Sequence, residues 1–393
     1  MIVVGAGMAG TVAASVLGQQ GFRVTLTDIR PACPPVFKAE KIEPDQAQIL
    51  RKFGLLETLR PRADCIREVR CYYDGRLYRI NATEQYGIYY SDMVNTLRAS
   101  LPDMVRFKLG RVVQIAKSAQ LQRVRLASGE ELTGRLVVLA CGLNRGIPVS
   151  LGLNRTWVQR HHSVAIAFTL ARRDGKPFPF DAVTYDSISR ATGIDYLTLF
   201  RLGGTMRANL FAFPVTNDAW LRQFVHEPNE ELRRYFPKLD RAIGEYRVVS
   251  GVETALVDLY RTEGEPPTGI VLIGDAGQNV CPSTGMGLTK VLTDVDVLCG
   301  DCVPLWLGAA GMDGNGLNSF YNNTRKRDTD AKAIQDALYR RHACTGLSLR
   351  WMIHRIRLRA DMQFTRPAAV PSSPLKSETR DRSSYRAWRR DKM

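Results

Sequence analysis

Met1–Gly10 reads MIVVGAGMAG, and its order of residues predicts how the chain begins to fold. An apolar run, Ile2-Val3-Val4, passes directly into Gly5-x-Gly7-x-x-Gly10, with Met8 and Ala9 between the last two glycines. A helix-competent stretch, Thr11 to Gln20, follows. A phosphate-binding turn needs that order. A buried strand delivers the chain, and glycines let the backbone turn tightly and approach a pyrophosphate. The helix start then offers free N–H groups and the positive end of its dipole. A second strand, Phe22 to Thr27, leads to Asp28, which stands 28 − 10 = 18 positions after the last glycine. There a carboxylate suits a ribose hydroxyl and disfavours a 2′-phosphate. An ordinary strand–helix turn accounts for the strand and helix but not for the placed acid.

A second segment, Gly269–Leu288, reads GIVLIGDAGQNVCPSTGMGL. Ile270 to Ile273 reads as a buried strand ended by Gly274-Asp275, and Gly285-Met286-Gly287 opens another helix. A strand-end carboxylate can bond a ribityl hydroxyl. A glycine-lined helix start can set N–H groups against a flavin's pyrimidine edge, where reduction leaves negative charge. The alternative is a second plain strand–helix turn with Asp275 as a helix-start acid. Taken with the first turn, the segment points to FAD held at both ends.

On these residues the chain resembles the group A FAD-dependent monooxygenases, the p-hydroxybenzoate and ubiquinone-hydroxylase-like superfamily, over roughly residues 1–340. Gly5, Gly7, Gly10 and Asp28 match that family's ADP-binding turn and ribose acid, with Asp28 in place of the more usual Glu, and Arg30 falls where the family often carries a basic residue. Gly274 and Asp275 match its Gly-Asp motif, and Pro282, Gly285 and Gly287 match the Pro-x-x-Gly-x-Gly that follows. The resemblance implies that Pro282, Gly285 and Gly287 position the flavin's reactive edge. It also implies NAD(P)H as reductant and dioxygen as co-substrate. Oxygen would then pass through a C4a-hydroperoxyflavin to a small organic, aromatic or isoprenoid, secondary metabolite by hydroxylation or epoxidation. Two departures stand out. The family's middle Asp-Gly appears here as Cys141-Gly142, and its Ala-Ala-His as Ala276-Gly277-Gln278. A reductase of prenyl-type substrates and a flavin-dependent halogenase share the architecture. The halogenase signature Trp-x-Trp-x-Ile-Pro has no match, the nearest context being Trp157-Val-Gln-Arg-His161.

The expected fold is α/β: a Rossmann-like FAD-binding domain, a substrate domain built on an antiparallel sheet, and C-terminal helices. The FAD-binding domain is expected over 1–65, 91–158 and 265–340, and the substrate domain over 66–90 and 159–264. A C-terminal helix is expected over 341–364, and a basic disordered tail over 365–393, rich in proline and serine. A helix is read from Pro44 to Arg60 and another from an N-capping Ser91 to Leu101. Tyr196, Arg201, Arg207 and Phe211, on alternating segments of the middle sheet, are possible substrate contacts whose facing the sequence leaves undecided.

At 393 residues the chain exceeds what one core normally fills. The eight cysteines are scattered, Cys299-x-x-Cys302 being the single CxxC, and buried thiols are the default reading. The histidines match no metal-ligand spacing, so no metal is expected. No apolar run is long enough to span a bilayer and the first strand starts at residue 2, so a cytoplasmic protein is expected. The net charge of +16 attracts anionic substrates, nucleic acid or acidic lipid, or simply marks a basic soluble enzyme. No nucleic-acid motif accompanies it, and no nucleic-acid partner is expected. Leu347 to Phe364 interleaves Leu349, Met352, Ile353 and Ile356 with arginines. That pattern is what a helix packed on the core gives, the reading preferred from spacing alone; peripheral association with an acidic membrane surface is the alternative.

Overall fold

The protein's structure, a computed structural model, describes residues 1–118, 120–188, 192–213, 218–308 and 314–365. A five-stranded sheet forms the first layer, in the order Ile270–Leu272, Val137–Leu139, Ile2–Val4, Val24–Asp28 and Val105–Leu109, every neighbouring pair parallel. Its three inner strands, Ile270–Leu272, Val137–Leu139 and Ile2–Val4, are wholly apolar and buried because both faces are covered there. The helix Met8–Gln19 packs on it, buried from Met8 to Gly18.

A nine-stranded sheet forms the second layer. Its path runs Tyr246–Val248, Asn154–Arg172, Thr205–Ala212, Ile194–Leu202, Ala182–Asp186, Asp64–Tyr73, Arg76–Gly87 and Lys41–Ile42, with Glu253–Glu263 paired on the long Asn154–Arg172 strand. All pairings are antiparallel except one. Ala182–Asp186 runs parallel to Asp64–Tyr73, as two strands so distant in sequence can. A small antiparallel sheet of Val112–Ala116, Gln122–Leu126 and Glu131–Gly134 caps the first layer.

One face of the large sheet is closed by three short helices, Asp218–His226, Pro228–Tyr235 and Leu239–Ile243. Met206, Ala208, Leu210 and Ala212 point into that core with Phe224, Leu232 and Phe236. Alternation therefore sends Arg207, Asn209 and Phe211 to the other face, toward the first layer.

Three expected helices differ. The one read over 44–60 is broken into Pro44–Lys52 and Leu56–Leu59. The break falls at Gly54, whose φ of +70° is left-handed; it lets Phe53 and Leu55 both turn inward. The helix expected from Ser91 runs Tyr90–Ala99, with Tyr89 at the N-cap and no side-chain cap. The helix expected over 341–364 begins at Leu349, after Thr324–Thr345 has ended. The tail beyond Thr365 lies outside the described residues.

Candidate active site

The parallel order places the ends of three strands side by side. Gly5 donates to Thr27 O at 2.8 Å, Ala140 to Val4 O at 2.9 Å, and Ile273 to Leu139 O at 3.0 Å. Gly5 turns out of the first strand with φ +98°; a β-carbon there would lie 2.5 Å from Ala140 O. One on Gly10 would lie 1.8 Å from Gly5 O, so strand and helix touch backbone to backbone. Gly7 is different. Its added β-carbon meets only the Tyr90 hydroxyl, at 3.2 Å, and the turn is otherwise open there. The turn's own groups hold its shape. Ala6 N–H donates to Asp28 Oδ2 at 2.7 Å and Arg30 N–H to Asp28 Oδ1 at 3.0 Å. Arg30 thus contributes its backbone, while its side chain faces solvent. Met8 N–H donates to Tyr90 Oη at 3.1 Å, and Arg98 Nε to Ala6 O at 2.7 Å. Burial pushes the Tyr90 phenol up, so it stays neutral.

The second segment meets the first directly. A β-carbon on Gly274, φ +62°, would stand 3.1 Å from the Ala9 Cβ. Lys38, from the loop after the second strand, spans the two. Its Nζ lies 3.9 Å from Asp275 Oδ2 and 5.4 Å from the Tyr90 ring centroid. Gly285 has φ +69° with open space where a side chain would project, and it caps the helix Met286–Val295. Gln46 Nε2 donates to Gly285 O at 3.0 Å and to Thr289 Oγ1 at 2.9 Å. The Tyr196 hydroxyl donates to Ser283 O at 2.9 Å, joining the Pro282–Thr284 turn to the large sheet. The Gly5–Gly10 turn, Asp28, Gly274 and Asp275 therefore gather at one edge of the parallel sheet, joined through Lys38.

Beneath the Gly-Asp turn lies a charge network that the sequence reading missed. Asp294, fully buried, accepts from Gly274 N–H at 2.8 Å, Lys290 Nζ at 2.7 Å and Lys326 Nζ at 2.8 Å. Asp330 lies beyond, 2.9 Å from Lys326 and 3.2 Å from Lys290. Burial alone would raise the Asp294 carboxyl, but the two ammonium groups outweigh it and hold its pKa below the ordinary value. Two phenols, Tyr260 buried and Tyr321 partly so, brace the same turn. Tyr260 donates to Asp275 O at 2.8 Å, and Tyr321 accepts from Leu272 N–H at 3.0 Å. Cys141, at the end of the strand between the two flavin segments, has its thiol pushed up to about 11 by burial. The position thus offers a neutral thiol where the resembling family has a carboxylate. Cys299 and Cys302 are buried apolar-core residues.

The large sheet turns a mixed face to this edge. Register sets Tyr196 beside Phe211 and Phe211 beside Ala165. In the next row come Thr184, Thr198, Asn209 and Ala167, and in the one after, Phe200 and Arg207. Arg207 is committed: it forks onto Glu40 at 2.8 and 2.9 Å and also reaches Glu253. Asn209 donates to Glu40 Oε2 at 3.3 Å, while its buried Oδ1 has no partner. Turning the amide over would set that oxygen against the Glu40 carboxylate, so the orientation is fixed. Arg201 points the other way, exposed and 3.4 Å from Asp181, and is not part of this face.

These residues fit a flavin dinucleotide. Helix-start N–H groups and Lys38 suit a pyrophosphate, carboxylates flank them for sugar and ribityl hydroxyls, and the glycines leave the surface clear where a cofactor would lie. Residues 1–105 match the model of the FAD binding domain family, and residues 81–144 that of the FAD-NAD(P)-binding family. No curated protein matches the chain in sequence. Among solved structures, p-nitrophenol 4-monooxygenase PnpA from Pseudomonas putida DLL-E4 superposes with a TM-score of 0.70 at 18% identity, over 92% of each chain. PqsL of Pseudomonas aeruginosa, described as a probable FAD-dependent monooxygenase, gives 0.68 at 19%, covering 92% of this chain and 98% of that one. HpxO of Klebsiella pneumoniae, complexed with FAD and uric acid, gives 0.68 at 17%, covering 93% and 92%. The N-terminal part of the chain is thus defined as an FAD binding domain. Over more than nine-tenths of its length the chain shares the fold of these solved FAD-dependent monooxygenases.

Proposed function

We propose that the protein is an NAD(P)H-dependent, FAD-containing monooxygenase acting on a small organic substrate, aromatic or isoprenoid. The observation that carries this reading is the convergence of the Gly5–Gly10 and Gly274–Gly287 turns beside one face of the large sheet. In this reading Gly7, Met8, Ala9, Gly10 and Lys38 hold the pyrophosphate of FAD, Asp28 the ribose and Asp275 the ribityl chain. Pro282, Gly285, Met286 and Gly287 border the ring system. Bound FAD supplies two-electron chemistry with NAD(P)H and the activation of dioxygen.

The chain's own part is to bind, orient and exclude water. Tyr196 and Phe211, with Phe37 packed against them, form an apolar wall, and Ala165 and Ala167 leave room above the sheet. The substrate would lie against that wall. Glu40 and Glu253 already neutralise Arg207, so the face favours a neutral substrate over a carboxylate. The unpaired Asn209 Oδ1 calls for a substrate O–H or N–H donor, since a buried acceptor left unmet costs roughly 1–3 kcal/mol. The neutral Cys141 thiol in the middle motif puts no negative charge beside the incoming nicotinamide.

The overall balance is substrate C–H plus dioxygen, NAD(P)H and a proton, giving substrate C–OH, NAD(P)⁺ and water. The test is NAD(P)H oxidation by FAD-loaded protein against a panel of neutral phenols, anilines and prenyl compounds. A true substrate should accelerate oxidation and take up one labelled atom from ¹⁸O₂. Product formed without dioxygen would contradict the proposal and identify a reductase.

A further inference from the structure

The helix Leu349–Phe364 is built inside out. Its inward side carries Arg355, which donates to Ala343 O at 3.2 Å, and Arg359, which donates to Ile188 O at 2.9 Å. Only Leu358 and Met362 join the apolar cluster of Tyr78 and Phe200. The apolar stripe at helical spacing points to solvent: Leu349 is 65% exposed, Met352 48%, Ile353 41%, Ile356 59% and Phe364 77%, and Leu347 just before the helix is 75% exposed. Such a stripe on an outer face calls for a partner.

We propose that this helix docks the protein on an anionic lipid surface, lying flat with its stripe among the acyl chains. Charge selects this occupant. Arg350 and Arg357 stand on the stripe's flank, and the helix holds four arginines against one acid, Asp361. Burial lowers the His354 pKa first, and Arg350, Arg355 and Arg357 lower it further, which registers the positive field of this end. The sequence beyond Thr365 adds eight Lys or Arg against three acids, 8 − 3 = +5, to a chain of net charge +16. Two copies meeting through this face would bring those charges together, whereas anionic headgroups would compensate them. Among the described residues no helix is long and apolar enough to cross a membrane. A lipid-facing stripe on this helix therefore means lying in the interface plane.

The test is flotation of the full-length, FAD-loaded protein with phosphatidylcholine vesicles, with and without phosphatidylglycerol. The protein should float with the anionic vesicles alone and be released by high salt. The double substitution Ile353→Asp and Ile356→Asp should cut partitioning by about tenfold or more, leaving bound FAD and melting temperature unchanged. A chain ending at Thr365 should still bind, more weakly. The proposal is overturned if the protein does not float, or if the double variant floats as well as the parent. It is also overturned if binding emerges only once residues 366–393 are removed, which would make them the stripe's occupant. A change from dimer to monomer in the double variant, seen by light scattering without flotation, would assign the face to a second copy.

Discussion

Gly10→Val is expected to give protein with no bound FAD and a low yield of folded chain. Gly10 has no room for any side chain: an added β-carbon would lie 1.8 Å from Gly5 O and 3.1 Å from Ala140 Cβ. The obstruction is backbone, which no rotamer change relieves. The first helix must therefore lift from the sheet, and Met8 and Ala9, at the helix start proposed to hold the pyrophosphate, lift with it. Absorbance of the purified protein at flavin wavelengths, together with its circular dichroism melt, checks this. Full flavin loading at an unchanged melting temperature would contradict it.

Asp294→Ala is expected to be the most damaging change outside the two glycine turns. It strands two buried ammonium groups, Lys290 and Lys326, and leaves Gly274 N–H without its acceptor. Breaking a buried ion pair from one side costs roughly 3–5 kcal/mol. At about 2.1 cal/mol/K per residue, that corresponds to a melting temperature about 5 °C lower. FAD affinity should fall at least about tenfold as well, because Asp275 follows the residue that Asp294 anchors. Asp294→Asn, which keeps an acceptor, should lose less of both. Because the folded-state pKa of Asp294 is depressed, its contribution is present above the ordinary carboxylate value and lost as pH falls through the folded one. The gap between parent and Asp294→Ala should therefore narrow in acid. A melt and an FAD titration of each variant, repeated at acid and neutral pH, measure this. An unchanged melting temperature in Asp294→Ala would show the network to be inert.

The first turn was legible because every level agreed: a wholly apolar strand, glycines at fixed spacing, a helix and a terminal acid. Gly274-Asp275 was legible for the same reason. What escaped were side chains whose role depends on three-dimensional neighbours. Tyr90 and Arg98 lie eight positions apart on a helix that reads as an ordinary amphipathic one, yet both reach back over 80 residues to Met8 and Ala6. Asp294 and Lys326 show only helical i,i+4 pairs in sequence, Lys290–Asp294 and Lys326–Asp330. Such pairs usually mark a solvated face, and nothing local says that these are buried. Lys38 sits in a loop with no period at all. The substrate face was half legible. Alternation set Arg207 and Phe211 on one side, but only the helices covering the other face decide which side. The bulge between Ile194 and Tyr196 hid the facing of Tyr196. The spacing of Leu349 to Ile356 favours a stripe packed on the core, but the fold turns it to solvent, because Arg355 and Arg359 take the inward side.

A crystal structure of the FAD complex puts the account to its sharpest trial. Continuous density for one FAD is expected, with adenosine at Asp28, pyrophosphate at Gly7 to Gly10 and Lys38, and the ribityl chain at Asp275. Its ring system should rest at Gly285 to Gly287, facing Tyr196 and Phe211. Density that leaves the Gly274–Gly287 segment untouched, or that puts the ring system away from the sheet face, would contradict it.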